Sequence, residues 1–295
     1  MSDLALQARL EGKEGHLRRR RAVNVVMEAA ATAGAVVAVG VLALVIGSVI
    51  VKGAGAFGLD LLIHSEVPFG EKGGGVANAI VGTGLLILLA TAFAVPIGLL
   101  VALYTHEFAP PRIANGLRFV LDVLNGVPTI VTGILVFSLL VVGSGQTAYA
   151  GGIALAIIML PIVARSAQEV LALVPRPIRE GGLALGLPRW KVLLRIVLPG
   201  AAGGILTGVL LAVARVAGET APLLFTCSVF AQGISINPGH AVASLPLRIF
   251  QLAEGNSPEE HNEAWAAALL LILFVLALNF VARYLYARTR SRVGL

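Results

Sequence analysis

The chain has 295 residues, 57% of them apolar and 13% charged, with a net charge of +6 and a mean hydropathy of +0.90. Soluble domains carry about 45–50% apolar and about 25% charged residues, so these values exclude a water-soluble globule. The single cysteine, Cys227, excludes a disulfide framework and a cysteine metal site. The basic residues flank apolar runs instead of clustering in a nucleic-acid-binding patch.

Residues 1–21 form a polar, basic arm suited to anionic lipid headgroups, and 22–295 read as one transmembrane domain. The run 29–51 is uncharged. It is long enough to cross a hydrocarbon core of about 30 Å and too long for the apolar core of a signal peptide. Further apolar runs at 76–104, 119–142, 151–174, 196–230 and 264–286 complete an all-α membrane protein with six transmembrane helices. The loop 52–75 ends in three glycines and should be flexible. The link 143–149 is short enough to make its two spans antiparallel neighbours. The loop 231–263 is the longest and is acidic. Within it, Ser257-Pro258-Glu259-Glu260 is a helix start with a serine cap and proline in the first turn.

Lysine and arginine placement sets the orientation. With both termini inside, eighteen basic residues fall in inner segments, against Lys52, Lys72 and Arg248 outside. Arg215 alone lies within a span. Arg215 and Glu219 are four apart and would share a helix face as an ion pair. Ionisable groups in a span usually face the protein interior or a water cavity and mark substrate paths. The alternative is that the two neutralise each other and lock helix packing. Arg165, followed by Ser166, Gln168 and Glu169, is a second candidate; its alternative is a snorkelling arginine at a span end.

The inner segment 175–199 reads as helix, glycine stop, proline restart and helix. Pro177 suits a first helical turn and Gly186 the left-handed position after a helix end. Leu183, Leu187 and Trp190 offer an apolar face among arginines, as a short helix docking into a groove of another protein requires. Glu180, Gly186, Ile196, Leu198 and Pro199 reproduce the loop spacing of bacterial ABC import permeases: Glu-Ala-Ala, three residues, Gly, nine residues, Ile-x-Leu-Pro. Gly181 and Gly182 replace the two alanines, costing up to about 2 kcal/mol of helix propensity and loosening the loop. By this resemblance, Glu180, Gly181, Gly182, Leu183, Gly186 and Trp190 form the coupling helix that sits on a cytoplasmic ATPase.

The run Ala214-Arg215-Val216-Ala217-Gly218-Glu219-Thr220-Ala221-Pro222-Leu223-Leu224-Phe225 resembles the phosphate-specific permease family, its PstA branch more than its PstC branch. Gly126-Val127-Pro128-Thr129-Ile130-Val131 and Ser244-Leu245-Pro246-Leu247-Arg248 agree with it. The resemblance covers residues 76–283. In one departure, Gln168 stands where the family often has an acid, which would leave Arg165 less neutralised.

The resemblance implies a type I ABC importer permease fold with cytoplasmic termini, in the bacterial inner membrane. It implies a phosphate path touched by Arg215, Glu219, Thr220, Arg165, Asn125 and Thr129. It also implies four kinds of partner: a homologous second permease (PstC-like), two ATPase subunits (PstB-like), a periplasmic or lipid-anchored phosphate-binding protein (PstS-like), and membrane lipid, with no nucleic acid. The sequence has no Gly-x-x-x-x-Gly-Lys-Ser/Thr run. The chain is therefore expected to be a non-catalytic subunit without a cofactor of its own, ATP and Mg belonging to the partner ATPase. The same loop would serve a sulfate, molybdate or phosphonate importer. A proton-coupled secondary transporter using Glu219 is the reading from another class.

Overall fold

A computed structural model describes residues 3–67, 74–228 and 233–293. Lys72 and the end of the 196–230 run lie outside them. All regular structure among the described residues is helical. Residues Met1–Val51 and Lys52–Leu295 are two separate units.

Helix α1 (Asp3–Ala54) is continuous, so the basic arm runs into the first span without a break. In the second unit, α2 (Leu59–Ile63) is followed by α3 (Ala77–Leu103), whose last turn widens into a π-turn at Tyr104–Phe108. Next come α4 (Pro111–Gly126), α5 (Thr129–Val136, ending in a π-turn to Val141) and α6 (Ala148–Ala172). A short pair, α7 (Arg176–Ala184) and α8 (Arg189–Val192), leads through a π-turn at Leu193–Val197 into α9 (Leu198–Val216). The chain ends with α10 (Ala221–Thr226), α11 (Leu245–Glu254) and α12 (Pro258–Val293).

Among the described residues, five helices are long and apolar enough to cross a membrane, and a sixth crossing requires a bent pair. That pair corrects one expectation. The run 119–142 is not one helix: α4 and α5 meet at 95°. The cause is Pro128, which lacks an N–H, and Val127 before it, held extended at ψ 128°. The run 196–230 is also interrupted, α9 stopping at Val216 and α10 starting at Ala221. The loop 231–263 is only partly a loop, since α11 buries Leu245, Leu247, Arg248 and Leu252 in it.

Helix α6 is the hub. Its small residues let neighbours approach closely, the usual basis of helix association in lipid. Against α3, a Cβ at Gly152 would lie 2.6 Å from Leu89 Cβ, and one at Gly98 would lie 3.1 Å from Val163 Cγ1. Leu86, Ala90 and Ala94 of α3, Leu155, Met159 and Val163 of α6, and Ala212 and Val216 of α9 form the main core. A second core lies at the α7 end, from Ala102, Ala167, Leu171, Val192, Leu193 and Val197.

The α12 start forms as its sequence dictates. Ser257 Oγ accepts from the Glu260 N–H and Glu260 Oε2 accepts from the Ser257 N–H, both at 3.1 Å, a reciprocal capping box.

Candidate substrate path and coupling surface

Five of the six polar residues singled out for the path fall on the two helix breaks, Arg165 being the exception. Asn125 and Thr129 flank the α4–α5 bend, and Arg215, Glu219 and Thr220 flank the α9–α10 break. Helices α5 and α10 bring the breaks together. Gly133 faces Pro222, where a Cβ would come 2.6 Å from Pro222 Cα, and the Phe137 and Phe225 rings meet edge-on at 6.3 Å. This register makes the two short helices parallel neighbours with their starting breaks side by side. Interrupted helices at membrane depth are tolerated where they line a cavity or are buried in protein.

Arg215 and Glu219 do not share a helix face. Helical bonding ends with the Ala217 N–H donating to the Val213 carbonyl, and Gly218 and Glu219 follow as a tight turn. Thr220 then starts α10, its carbonyl accepting from Leu223 and Leu224. No ion pair joins Arg215 to Glu219 among the described residues. The two are four apart in sequence but not one helical turn apart in space, because α9 ends at Val216 and the chain turns through Gly218 before α10 begins at Ala221. Arg215 is exposed in the last turn of α9, where a cation complements the helix dipole. Glu219, Thr220 and Thr129 are half-buried, Asn125 is exposed and Thr132 is buried.

Arg165 sits differently. It is ion-paired to Asp122 on α4, and its Nη2 donates to the Arg118 carbonyl at 3.1 Å. Arg165 therefore has an acid, supplied by α4 and not by the next turn of its own helix. Gln168 is buried and donates to Thr105 Oγ1 at 2.7 Å. The expected charge imbalance at Gln168 does not arise.

The 175–199 segment folds as its punctuation requires: α7, then Gly186 at φ +78°, then α8 opened by Pro188. Glu180 and Gly181 are exposed. Leu183 and Trp190 are 43% and 55% exposed, and Leu185 is 82% exposed, an apolar surface beside Arg176 and Arg189. Gly182 corrects the expectation of two loosening glycines. It is buried, and a Cβ there would meet Ile196 Cδ1 at 2.8 Å and Val192 Cγ2 at 3.0 Å, so its smallness seats α7 on the following segment. Gly181 has open space.

Two ionic clusters escaped the sequence reading. Arg179, on the inner face of α7, pairs with Glu107 at 2.8 Å and donates to the Leu171 carbonyl at 2.5 Å. The signal was an acid, Glu107, inside a basic flank. At the other end, Arg248 is 8% exposed and pairs with Glu66 at 3.9 Å and Glu263 at 3.3 Å. Asn78 holds Glu66 by donating to its carboxylate at 3.3 Å and accepting from its N–H at 3.2 Å. Position alone could not show that this arginine, expected on the outer side, is buried within α11.

Comparison with known proteins agrees with this architecture. The family described as "Binding-protein-dependent transport system inner membrane component" matches residues 94–294. The "Phosphate transport system permease protein PstA" of Yersinia pestis is 42% identical over 245 residues, 82% of this chain and 83% of that protein. The "Phosphate transport system permease protein PstA 1" of Mycobacterium tuberculosis (strain ATCC 25618 / H37Rv) is 42% identical over 225 residues, 74% of this chain and 72% of that one. Among solved structures, an inward-facing MetNI methionine ABC transporter chain superposes with a TM-score of 0.57 at 15% identity, over 72% of this chain and 94% of its own length. An amino acid ABC transporter with histidines gives 0.53 at 18% identity, over 72% of this chain and 92% of that one. These structural likenesses show the fold, that of type I ABC importer permeases. The chain is an integral, multi-pass membrane protein and belongs to the PstA permease family of binding-protein-dependent transport systems.

Proposed function

We propose that this chain is one of two channel-forming subunits of an ATP-driven inorganic phosphate importer in the bacterial cytoplasmic membrane. Both termini and α7 lie in the cytoplasm, as the basic flanks require. A homologous permease completes the path. Two ATPase subunits drive it from below, and a phosphate-binding protein delivers substrate at the end carrying α11. The chain itself catalyses nothing; ATP and Mg are held by the motor.

The observation that carries this reading is the exposed helix α7, with Leu183, Leu185 and Trp190 presented beside Glu180 and no packing of its own over them. A motor groove covering that face would convert ATP-driven closure into helix displacement. The substrate side rests on Arg215, a permanent cation with a planar fork of donors matching phosphate oxygens. It stands at the paired helix breaks with Thr220 and Thr129. A path must release what it admits, so a transit contact is expected, without a deep site.

The test is purification of this chain with its natural partners, then reconstitution into liposomes. Recovery of an ATPase and a second permease, with ATP-dependent uptake of labelled phosphate that excess sulfate does not suppress, is the expected result. Uptake driven by a proton gradient without the ATPase would overturn it.

A further inference from the structure

Among the described residues, the polar contacts of α7 that reach back to the spanning helices α3 and α6 are those of Arg179, while Gly182 packs on the apolar side chains of Val192 and Ile196 in the following segment. Arg179 is 18% exposed on its side chain and Glu107 19%. Its Nη1 lies 2.8 Å from Glu107 Oε1 and 3.4 Å from His106 Nδ1, which itself lies 3.2 Å from the same carboxylate oxygen. Its Nη2 donates to the Leu171 carbonyl near the end of α6. Charge-assisted hydrogen bonds of this kind fix direction as well as distance.

The receiving element is the π-turn Tyr104–Phe108, where α3 widens. Such turns recur at functional sites. The same turn holds Thr105, which accepts from Gln168 of α6. Three residues earlier on α6, Arg165 grips Asp122 of α4, one turn before the bend that leads to α5. A cleft of about 210 Å³ lined by Glu107, Phe108, Arg179, Leu183, Val192 and Leu193 lies beside the pair and leaves α7 room to shift.

We propose that the Arg179–Glu107 pair is a strut that carries displacement of α7 into α3 and α6, linking the motor-facing helix to the broken helices of the path. This deepens the importer reading and rests on it. Arg179 and Glu107 are positioning residues; neither touches phosphate or ATP.

The experiment uses the complete importer in proteoliposomes and measures phosphate imported per ATP hydrolysed. Glu107→Gln, Arg179→Gln and the double variant are compared. Each single variant is expected to lower that ratio about fivefold or more, with ATPase co-purification and ATP hydrolysis within about twofold of wild type. The double variant should be no worse than the worse single one, because either change removes the same link.

An unchanged ratio would overturn the strut. So would parallel loss of hydrolysis and uptake, multiplying losses in the double variant, or loss of the ATPase from both single variants, which would make the pair a structural tie only. Failure of the importer reading is separable: the wild-type complex would then show no ATP-driven phosphate uptake at all.

Discussion

Arg165 on α6 is ion-paired to Asp122 on α4, which fixes the amphipathic helix to the hub one turn before its 95° bend. Asp122 is 63% exposed on its side chain, so solvent screens the pair. A pair of this kind contributes about 0–1 kcal/mol. Asp122→Asn should therefore lower stability by no more than about 1 kcal/mol in a denaturant titration of the purified chain in mixed micelles. A loss several times larger would show that Arg165 is left uncompensated in a site drier than its exposure indicates.

Gly133 makes a sharper prediction. A Cβ there meets Pro222 Cα, a backbone atom that cannot rotate away. Gly133→Ala must push α5 from α10, at about 1–3 kcal/mol for overpacking. Gly116 on α4 faces open space and is the control: Gly116→Ala should gain up to about 1 kcal/mol of helix stability. Equal behaviour of the two variants in the same titration would refute the α5–α10 contact.

Much of this architecture is legible in the residues, and the misses have physical reasons. Runs of uncharged residues placed the long spans. Gly186, Pro188 and the Ser257–Glu260 pair placed their turns and caps, because each acts on its immediate neighbours. Hydropathy could not place the breaks at Val127 and Ala217, because an apolar run stays apolar through a proline bend. The i, i+4 rule for Arg215 and Glu219 presupposed a continuous helix across Gly218. Asp122, Glu107 and Glu66 were invisible as partners because their arginines lie 43, 72 and 182 positions away in the chain, and only packing brings them close.

The two glycines of α7 should part company. Gly181→Ala, in open space, should stabilise the helix by up to about 1 kcal/mol. Gly182→Ala gains the same propensity but presses on Val192 Cγ2 and Ile196 Cδ1. Ile196 can turn away at its tip; β-branched Val192 cannot. The net effect at Gly182 should fall about 1 kcal/mol below that at Gly181. Amide hydrogen exchange over α7 in the assembled importer would read the difference, and equal protection in both variants would remove the packing role of Gly182.

Leu183 and Trp190 test the motor contact. Apolar side chains that fill a partner's groove dominate binding, typically at about 2 kcal/mol or more each when truncated. Trp190→Ala and Leu183→Asp should each weaken ATPase retention by about 30-fold in a titrated pull-down, with permease pairing unaffected. Ile236 is the exposed apolar control away from α7, and Ile236→Ala should leave retention unchanged. Wild-type retention in both α7 variants would place the motor elsewhere.

Arg215 carries the substrate prediction, and its separation from Glu219 makes that prediction clean. Had the two formed a pair on one helix face, removing either would strand the other, and loss of transport would report broken packing. Since α9 ends between them and no ion pair joins them, the two can be tested independently. Arg215→Ala should keep the ATPase and its hydrolysis while phosphate uptake falls about tenfold or more, the worth of one or two charged hydrogen bonds. Arg215→Lys, which retains the charge but loses the planar fork, should fall between. Glu219→Gln should express and assemble normally, with a smaller change in uptake. If Glu219→Gln instead matches Arg215→Ala and the double variant recovers, the pair is structural. Phosphate then passes without Arg215.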